Sequence, residues 1–224
     1  MGRHCRHRAA AAPAVSPLDP EFFARPTLDV LDAVIGTVLV HEADAGRAAG
    51  IIVEAEAYIG ESDPACHAAP GPTRRNAPLY GRPGRAYVYL NYGIHYLVNA
   101  VTEAEGSPAA ILIRALEPID GQALMRRRRA VRTRGRGAPP GVGRGAGAIA
   151  DDQLCRGPGN LTVALGVNLT HNLADLTRGP LRIEEWGIRP GRRVYSSRIG
   201  IRVGIERPWR CHWQHHPCVS GGVS

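Results

Sequence analysis

The chain has 224 residues, 44% hydrophobic and 21% charged, the balance of one substantial globular domain or at most two small ones. Its formal net charge of +8 suits a polyanionic partner, nucleic acid before an anionic membrane, and all 28 of its basic residues are arginine. No segment approaches a transmembrane helix in length, and five scattered cysteines (Cys5, Cys66, Cys155, Cys211, Cys218) make no disulfide framework, so a reducing, cytoplasmic setting is expected.

Residues 1–17 join a basic start to an Ala/Pro run too weakly apolar for a signal peptide, and read as a disordered tail. Pro20–Val40 carries Phe22, Phe23, Leu28, Leu31, Val34, Ile35, Val38 and Leu39 near a period of 3.6, which predicts a helix closed by Gly36 before a short strand. Glu42–Gly50 reads as a turn and Ile51–Ile59 as a strand. Side chains two apart on a strand share a face. Ile52, Glu54, Glu56 and Tyr58 should therefore point one way, and the small apolar Ile51, Val53, Ala55 and Ala57 the other. Two carboxylates on an otherwise buried strand are costly unless paired. Taken alone, the same pattern also fits an edge strand with a solvated acidic face.

Gly60–Arg85 is a long Gly/Pro-rich loop carrying Arg74, Arg75, Arg82 and Arg85, and a loop of that length in a compact domain usually has a function or no order. Ala86–Tyr92 and Ile94–Val101 read as strands of a hairpin turning at Gly93. Five of the seven tyrosines fall between Tyr80 and Tyr96; Tyr87 and Tyr89 share a strand face, while Tyr92 sits where a side chain can project into solvent. Ala109–Ala115 is apolar enough for a central strand, which makes Arg114 conspicuous. Pro118 should open a helix running to about Val131, with Asp120 as N-cap, followed by a flexible Arg/Gly-rich insertion at 133–150. Leu161–Leu165 reads as a short helix, and Leu181–Ile188 and Arg198–Ile205 as late strands. With no βαβ rhythm, the fold class is α+β: a single mixed domain, residues 18–211, on a largely antiparallel sheet, with 212–224 as a C-terminal tail.

Tyrosines in strands are most often half-buried packing residues, and four arginines in a loop are most often a solvated surface. Basic loop, tyrosines and carboxylate strand together form a pattern that nucleic-acid chemistry requires, since aromatic stacking contributes about 1–3 kcal/mol per base. Six blocks then occur in the order of one family: EAEAYIG-x2-DPA-x-HA at 56–68, TRRN at 73–76, PGRAYVYLNYGIHYLVN at 83–99, LIRALEP at 112–118, GPGNLTVALG at 157–166 and RIGI at 198–201. Across roughly residues 20–210 the chain resembles the alkyladenine (3-methyladenine) DNA glycosylases of the mammalian AAG/MPG type.

The resemblance implies a single α/β domain without a helix-hairpin-helix, acting as a monomer on double-stranded DNA that contains a damaged purine. It implies excision of alkylated or deaminated purines by water, with no cofactor and no metal in the site. By match, Glu56 is the base and Arg114 holds the carboxylate and water. Glu54 is its rival on spacing alone. Tyr58, His67 and Tyr89 would sandwich the flipped base, where ring faces favour a cationic alkylated purine, and Asn99 would crowd the exocyclic amine of guanine. Tyr92 would fill the gap left in the duplex, while Arg74, Arg75, Asn76, Arg82 and Arg85 would grip DNA. Arg74 stands where the family pattern has proline, and PWRC at 208–211 replaces PWRF.

A lyase needs an amine to form a Schiff base, and the chain has no lysine; only an N-terminal amine on the expected tail would remain. Two alternatives stay open from sequence. One is a nucleic-acid-binding module without chemistry. The other is a zinc protein built on Cys211, His212, His215, His216 and Cys218, which no second ligand cluster supports. Cys66 beside His67 lacks an evident third member for a thiol nucleophile.

Overall fold

A computed structural model describes residues 15–134 and 149–221, so most of the expected N-terminal tail and of the Arg/Gly-rich insertion lie outside the described residues. Asp19 caps the first helix, α1 (Pro20–Phe23), by accepting from the Phe22 amide at 2.7 Å, and Pro26 separates it from α2 (Thr27–Ala33). Of the apolar residues expected to line one helix, Leu28 is exposed, whereas Phe23, Leu31, Val34 and Ile35 enter the core. The chain turns at Gly36 into β2 (Val38–Ala43), which forms a hairpin with β3 (Gly46–Ile59). The expected turn at 42–50 is thus mostly strand, because the pairing runs out to Ala43 and Gly46.

The sheet is antiparallel throughout. Its order is β1 (Ser16–Pro17), β7 (Leu181–Glu185), β2, β3, β6 (Ala109–Asp120), β5 (His95–Val101), β4 (Ala86–Asn91). A second ribbon, β8 (Arg193–Ser196) with β9 (Arg210–Trp213), joins at β3. One edge of β3 is therefore shared: residues 46–51 pair with β2, and Glu54, Ala55 and Glu56 pair with His212, Cys211 and Arg210 of β9. Its other edge pairs with β6 along nearly its whole length.

Simple alternation along β3 fails at one place. The register with β6 shifts between Ile52 and Glu54 and again between Glu54 and Ala55. In consequence Ile52 packs with Ala55 and Ala57 in the main core, while Ile51 and Val53 belong to a second cluster with Ala115, Cys218 and Val219. The expected grouping of Ile52 with the glutamates is overturned, because a bulge adds one residue and reverses the parity of the rest of the strand.

Other departures have local causes. The strand expected to stop at Ala115 continues to Asp120, since Pro118 pairs opposite Gly50 at another register shift; α3 (Gln122–Arg134) starts only after Gly121 turns the chain with a φ of 75°. Arg198–Ile205 is not a strand. Gly200 and Gly204 take positive φ there, and the segment folds over β3 instead. At the N-terminus Ser16–Pro17 pairs with Glu184–Glu185, so the expected tail is already part of the sheet by residue 16. The expected C-terminal tail is likewise anchored as far as it is described, with Cys218, Val219 and Ser220 buried. Cys211 and Cys218 lie in different core clusters and His216 bonds Glu117, so the His/Cys run is dispersed.

The four-arginine run in the middle of α3 acts mostly inward. Arg128 donates to the carbonyls of Ala164 and Leu165 at 3.1 and 2.7 Å, closing the C-terminus of α5 (Pro158–Leu165). Arg129 does the same for Gln153 and Leu154 at the end of α4 (Asp151–Leu154), and Arg126 pairs with Asp151. Arg128→Met should lower unfolding stability by about 1–2 kcal/mol, measured by denaturant titration.

Candidate active site

The side chains of Glu54 and Glu56 are both 0% exposed, yet they are held in different ways. Glu54 is bound into the framework: Oε1 accepts from Arg114 Nε at 3.0 Å and Arg210 Nε at 2.7 Å, and Oε2 accepts from the Ser220 amide at 2.6 Å. Glu56 Oε1 accepts from the Ile199 amide at 2.7 Å and lies 3.2 Å from Arg114 Nη1. Its Oε2 accepts from the Tyr58 hydroxyl at 2.9 Å and, among the described residues, from nothing else. A carboxylate oxygen can accept two hydrogen bonds, so Oε2 keeps a lone pair for a further donor.

Burial raises the Glu56 carboxyl above its ordinary 4.5, and the neighbouring Glu54 charge adds to this; Arg114, the Ile199 amide and the Tyr58 hydroxyl oppose the rise without cancelling it. For Arg114, burial opposes the charge, but Glu56 and Glu54 outweigh it and raise the guanidinium further. Arg114 thus stays charged at any working pH and bridges both carboxylates.

Beside this cluster opens a cavity of about 340 Å³. Its lining includes Tyr58, Cys66, His67, Tyr87, Tyr89, Asn99, Leu112, Arg114 and the 199–201 backbone, with Asn91 and Tyr92 from the β4–β5 hairpin. That size lies at the low end of small-molecule pockets, roughly 300–1,000 Å³. His67 Nδ1 bonds the Tyr87 hydroxyl at 2.9 Å, and its ring meets Tyr89 edge-on with centroids 4.6 Å apart. Burial, with Arg75 nearby, lowers the imidazole from its ordinary value, and burial raises the Tyr58 and Tyr89 phenols, so all three rings stay neutral at pH 7. Asn99 sits opposite Tyr87 across β4–β5 and donates to its carbonyl at 2.9 Å, which fixes the amide in the wall. The Cys66 thiol is buried and pushed up to about 11, which argues against a nucleophilic thiolate.

Tyr92 is 84% exposed at the hairpin tip. The Ile94 amide donates to the Asn91 carbonyl at 3.0 Å, and both central residues have positive φ, 48° for Tyr92 and 67° for Gly93, as a type I′ turn requires. Gly93 adopts this at no steric cost, whereas the bulky Tyr92 is strained by it.

The expected DNA-gripping residues divide. Arg74 and Arg75 are exposed, and the Arg75 guanidinium lies 5.9 Å from the Tyr89 ring centre. Arg82 is exposed and faces Glu105 at 3.4 Å; Arg85 is engaged by Asp175 at 3.5 Å. Asn76 differs from expectation. It is buried, and its amide bonds the His67 and Gly71 carbonyls at 2.7 and 2.9 Å while accepting from the Thr73 amide at 2.6 Å, so it closes the loop instead of facing outward.

Sequence reasoning missed several neighbours. Tyr87 was legible from its alternation with Tyr89 but was not singled out. Ile199 and Arg210 lie in the RIGI and PWRC blocks but have no role legible from them, and Ser220 carries no local signal. Arg198 stacks 4.6 Å from the Tyr58 ring centre and forms a two-pronged pair with Asp63 at 2.5 and 2.8 Å, both side chains being excluded from solvent. That pair, with Arg198 donating to the Ala57 carbonyl at 3.0 Å, ties the 197–207 loop to β3 and so delivers Ile199 to Glu56.

A family model described as Methylpurine-DNA glycosylase (MPG) matches residues 21–217. A Methanocella arvoryzae protein is 42% identical, covering 91% of this chain and 95% of its own length. A Rubrobacter xylanophilus protein is 48% identical, covering 79% and 83%, and one from Chlorobium phaeobacteroides is 41% identical, covering 91% and 95%. All three carry the name "Putative 3-methyladenine DNA glycosylase".

Removing one partner of a solvent-excluded ion pair strands the other charge. Asp63→Ala should therefore cost about 3–5 kcal/mol of stability, read as a fall in the denaturation midpoint.

Proposed function

This chain belongs to the methylpurine-DNA glycosylase family, hydrolases of N-glycosyl bonds that act on damaged DNA, and from that premise we propose that it flips alkylated or deaminated purines of the 3-methyladenine, 7-methylguanine and hypoxanthine type out of duplex DNA and releases them with a water activated by Glu56. One observation carries the reading. A solvent-excluded carboxylate, with one oxygen fully engaged and the other retaining a lone pair, adjoins a cavity walled by neutral aromatic rings.

The flipped purine would occupy that cavity, between Tyr58 on one side and His67 with Tyr89 on the other. A purine alkylated at N3 or N7 is cationic and gains from electron-rich ring faces, a contribution of about 0.5–2 kcal/mol. A water on Glu56 Oε2 gives up its proton to the carboxylate as its oxygen bonds to C1′ of the deoxyribose. The C1′–N bond breaks and its electron pair leaves with the purine. The sugar passes through an oxocarbenium-like state, which the Glu56 charge stabilises, while Arg114 keeps that charge oriented. Tyr92 would occupy the place the nucleotide vacates, and the exposed Arg74, Arg75 and Arg82 would meet phosphates. On this reading Glu54 is structural, a role supported by the bonds its oxygens accept from Arg114, Arg210 and Ser220.

The alternative of a binding module without chemistry separates cleanly. Glu56→Gln should abolish release of 3-methyladenine or hypoxanthine from single-lesion duplexes and leave DNA affinity within about threefold, because the isosteric amide keeps the shape but cannot take the water's proton. Only the ionised Glu56 can act as base, and its carboxyl is raised, so base release should fall as pH drops through a midpoint above 4.5, whereas an ordinary glutamate would titrate at about that value. Product DNA should stay intact until treated with alkali, since no lysine is present to form a Schiff base; nicking without alkali by purified enzyme would contradict the water mechanism.

A further inference from the structure

Beyond the matched residues 21–217 the chain continues into a short segment whose Ser220 is buried at the back of the carboxylate cluster. All three polar groups of this residue are used there. Its amide donates to Glu54 Oε2 at 2.6 Å, its hydroxyl accepts from Arg114 Nη2 at 3.2 Å, and its carbonyl accepts from Arg210 Nη2 at 2.9 Å. Arg114 is thereby held at three points: Nε on Glu54, Nη2 on Ser220 and Nη1 against Glu56. The first two leave the planar guanidinium no freedom to rotate, so they decide where Nη1 sits.

We propose that Ser220 is a positioning residue for catalysis, locking Arg114 from the C-terminal segment so that its Nη1 keeps Glu56 aimed at the reacting sugar. The proposal rests on the glycosylase reading above and extends it to a part of the chain that sequence alone assigned to a tail.

The anchoring of the segment supports a fixed position. Val219 packs with Val53 and Ala115, on the two strands that carry Glu54 and Arg114, and its carbonyl accepts from Arg156 Nε at 2.8 Å. Cys218 lies in the same cluster, and its amide donates to His216 Nδ1 at 3.3 Å. Ser220 therefore reaches Arg114 from a segment whose preceding residues, Cys218 and Val219, are packed in place.

The charged and titratable groups around Glu56 come from every neighbouring element. They are Glu54 and Tyr58 on β3, Tyr89 on β4, Arg114 on β6, Arg198 in the following loop and Arg210 opposite on β9. Of these only Arg114 pairs with the Glu56 carboxylate and also bonds the Ser220 hydroxyl. Loosening Arg114 should remove part of the influence that lowers the Glu56 pKa, and move the acid limb of activity to higher pH.

The test is single-turnover base release from a hypoxanthine duplex across pH, with DNA affinity and thermal melting measured on the same proteins. Ser220→Ala keeps both backbone bonds and removes only the hydroxyl. The rate at pH 7 should fall about three- to tenfold, as expected for one misaligned charged hydrogen bond. The acid limb should shift upward, DNA affinity should hold, and Ser220→Thr, which retains the hydroxyl, should restore the wild-type profile. Wild-type rate and an unmoved acid limb in Ser220→Ala would overturn the proposal, as would a rate loss tracking lower melting with no pH shift. Failure of the wild-type protein to release any base would instead overturn the glycosylase reading itself.

Discussion

Two carboxylates on one buried strand, met by two guanidiniums from the strands on either side, set the terms for the rest of this molecule. Glu54 and Glu56 on β3 face Arg114 from β6 and Arg210 from β9, so the four formal charges sum to zero within one solvent-excluded cluster. Any one of them left alone would be prohibitively costly. The cluster requires that β3 have neighbours on both edges at these residues, which is why its partner changes from β2 to β9 where the carboxylates begin. It also requires arginine, because Arg114 must point three different N–H groups at three acceptors, and an ammonium on a flexible stem has no such fixed fork.

Within that cluster the two acids are unequal, and the inequality comes from backbone. Glu54 meets two guanidiniums and a buried amide. Glu56 meets one guanidinium, one phenol and the amide of Ile199, on a loop tied to β3 through Arg198 and Asp63. The bulge at 52–55 makes both arrangements possible. Without it, the parity set by Ile52 would turn Glu54 and Glu56 into the main apolar core, away from their guanidinium partners.

Much of this was legible in the sequence, and the failures share a cause. Strands at 51–59, 86–92, 94–101 and 109–115 announce themselves by local pattern, and the hairpin tip by Gly93 after Tyr92, so these strands and the place of Tyr92 follow from short-range information. What local pattern cannot carry is long-range pairing. The segment 198–205 has strand-like composition, yet the buried bond from Arg198 to a residue 135 positions away outweighs that propensity. The bulge depends on how β3 registers against β6, a strand more than fifty residues distant. Ser220 lies in a segment of Gly, Ser and Val with the composition of a tail, yet its hydroxyl and amide bond residues 106 and 166 positions earlier in the chain.

Net charge was the least direct of the sequence signals. A value of +8 suggested a DNA-facing surface, and Arg74, Arg75 and Arg82 are exposed as that requires. Arg114, Arg198 and Arg210 are instead consumed by buried carboxylates, while Arg126, Arg128 and Arg129 bind helix-terminal carbonyls or a neighbouring acid. A chain without lysine has to use one residue type for two incompatible jobs, solvated phosphate contact and desolvated clamping. The distinction is made by position: Arg198 and Arg210 beside buried acids and Arg128 and Arg129 beside helix ends have fixed acceptors, whereas Arg74 and Arg75 on the 60–85 loop are exposed. On the proposed reading, DNA is gripped by exposed arginines such as Arg74, Arg75 and Arg82, while Arg114, Arg198 and Arg210 hold the site's shape.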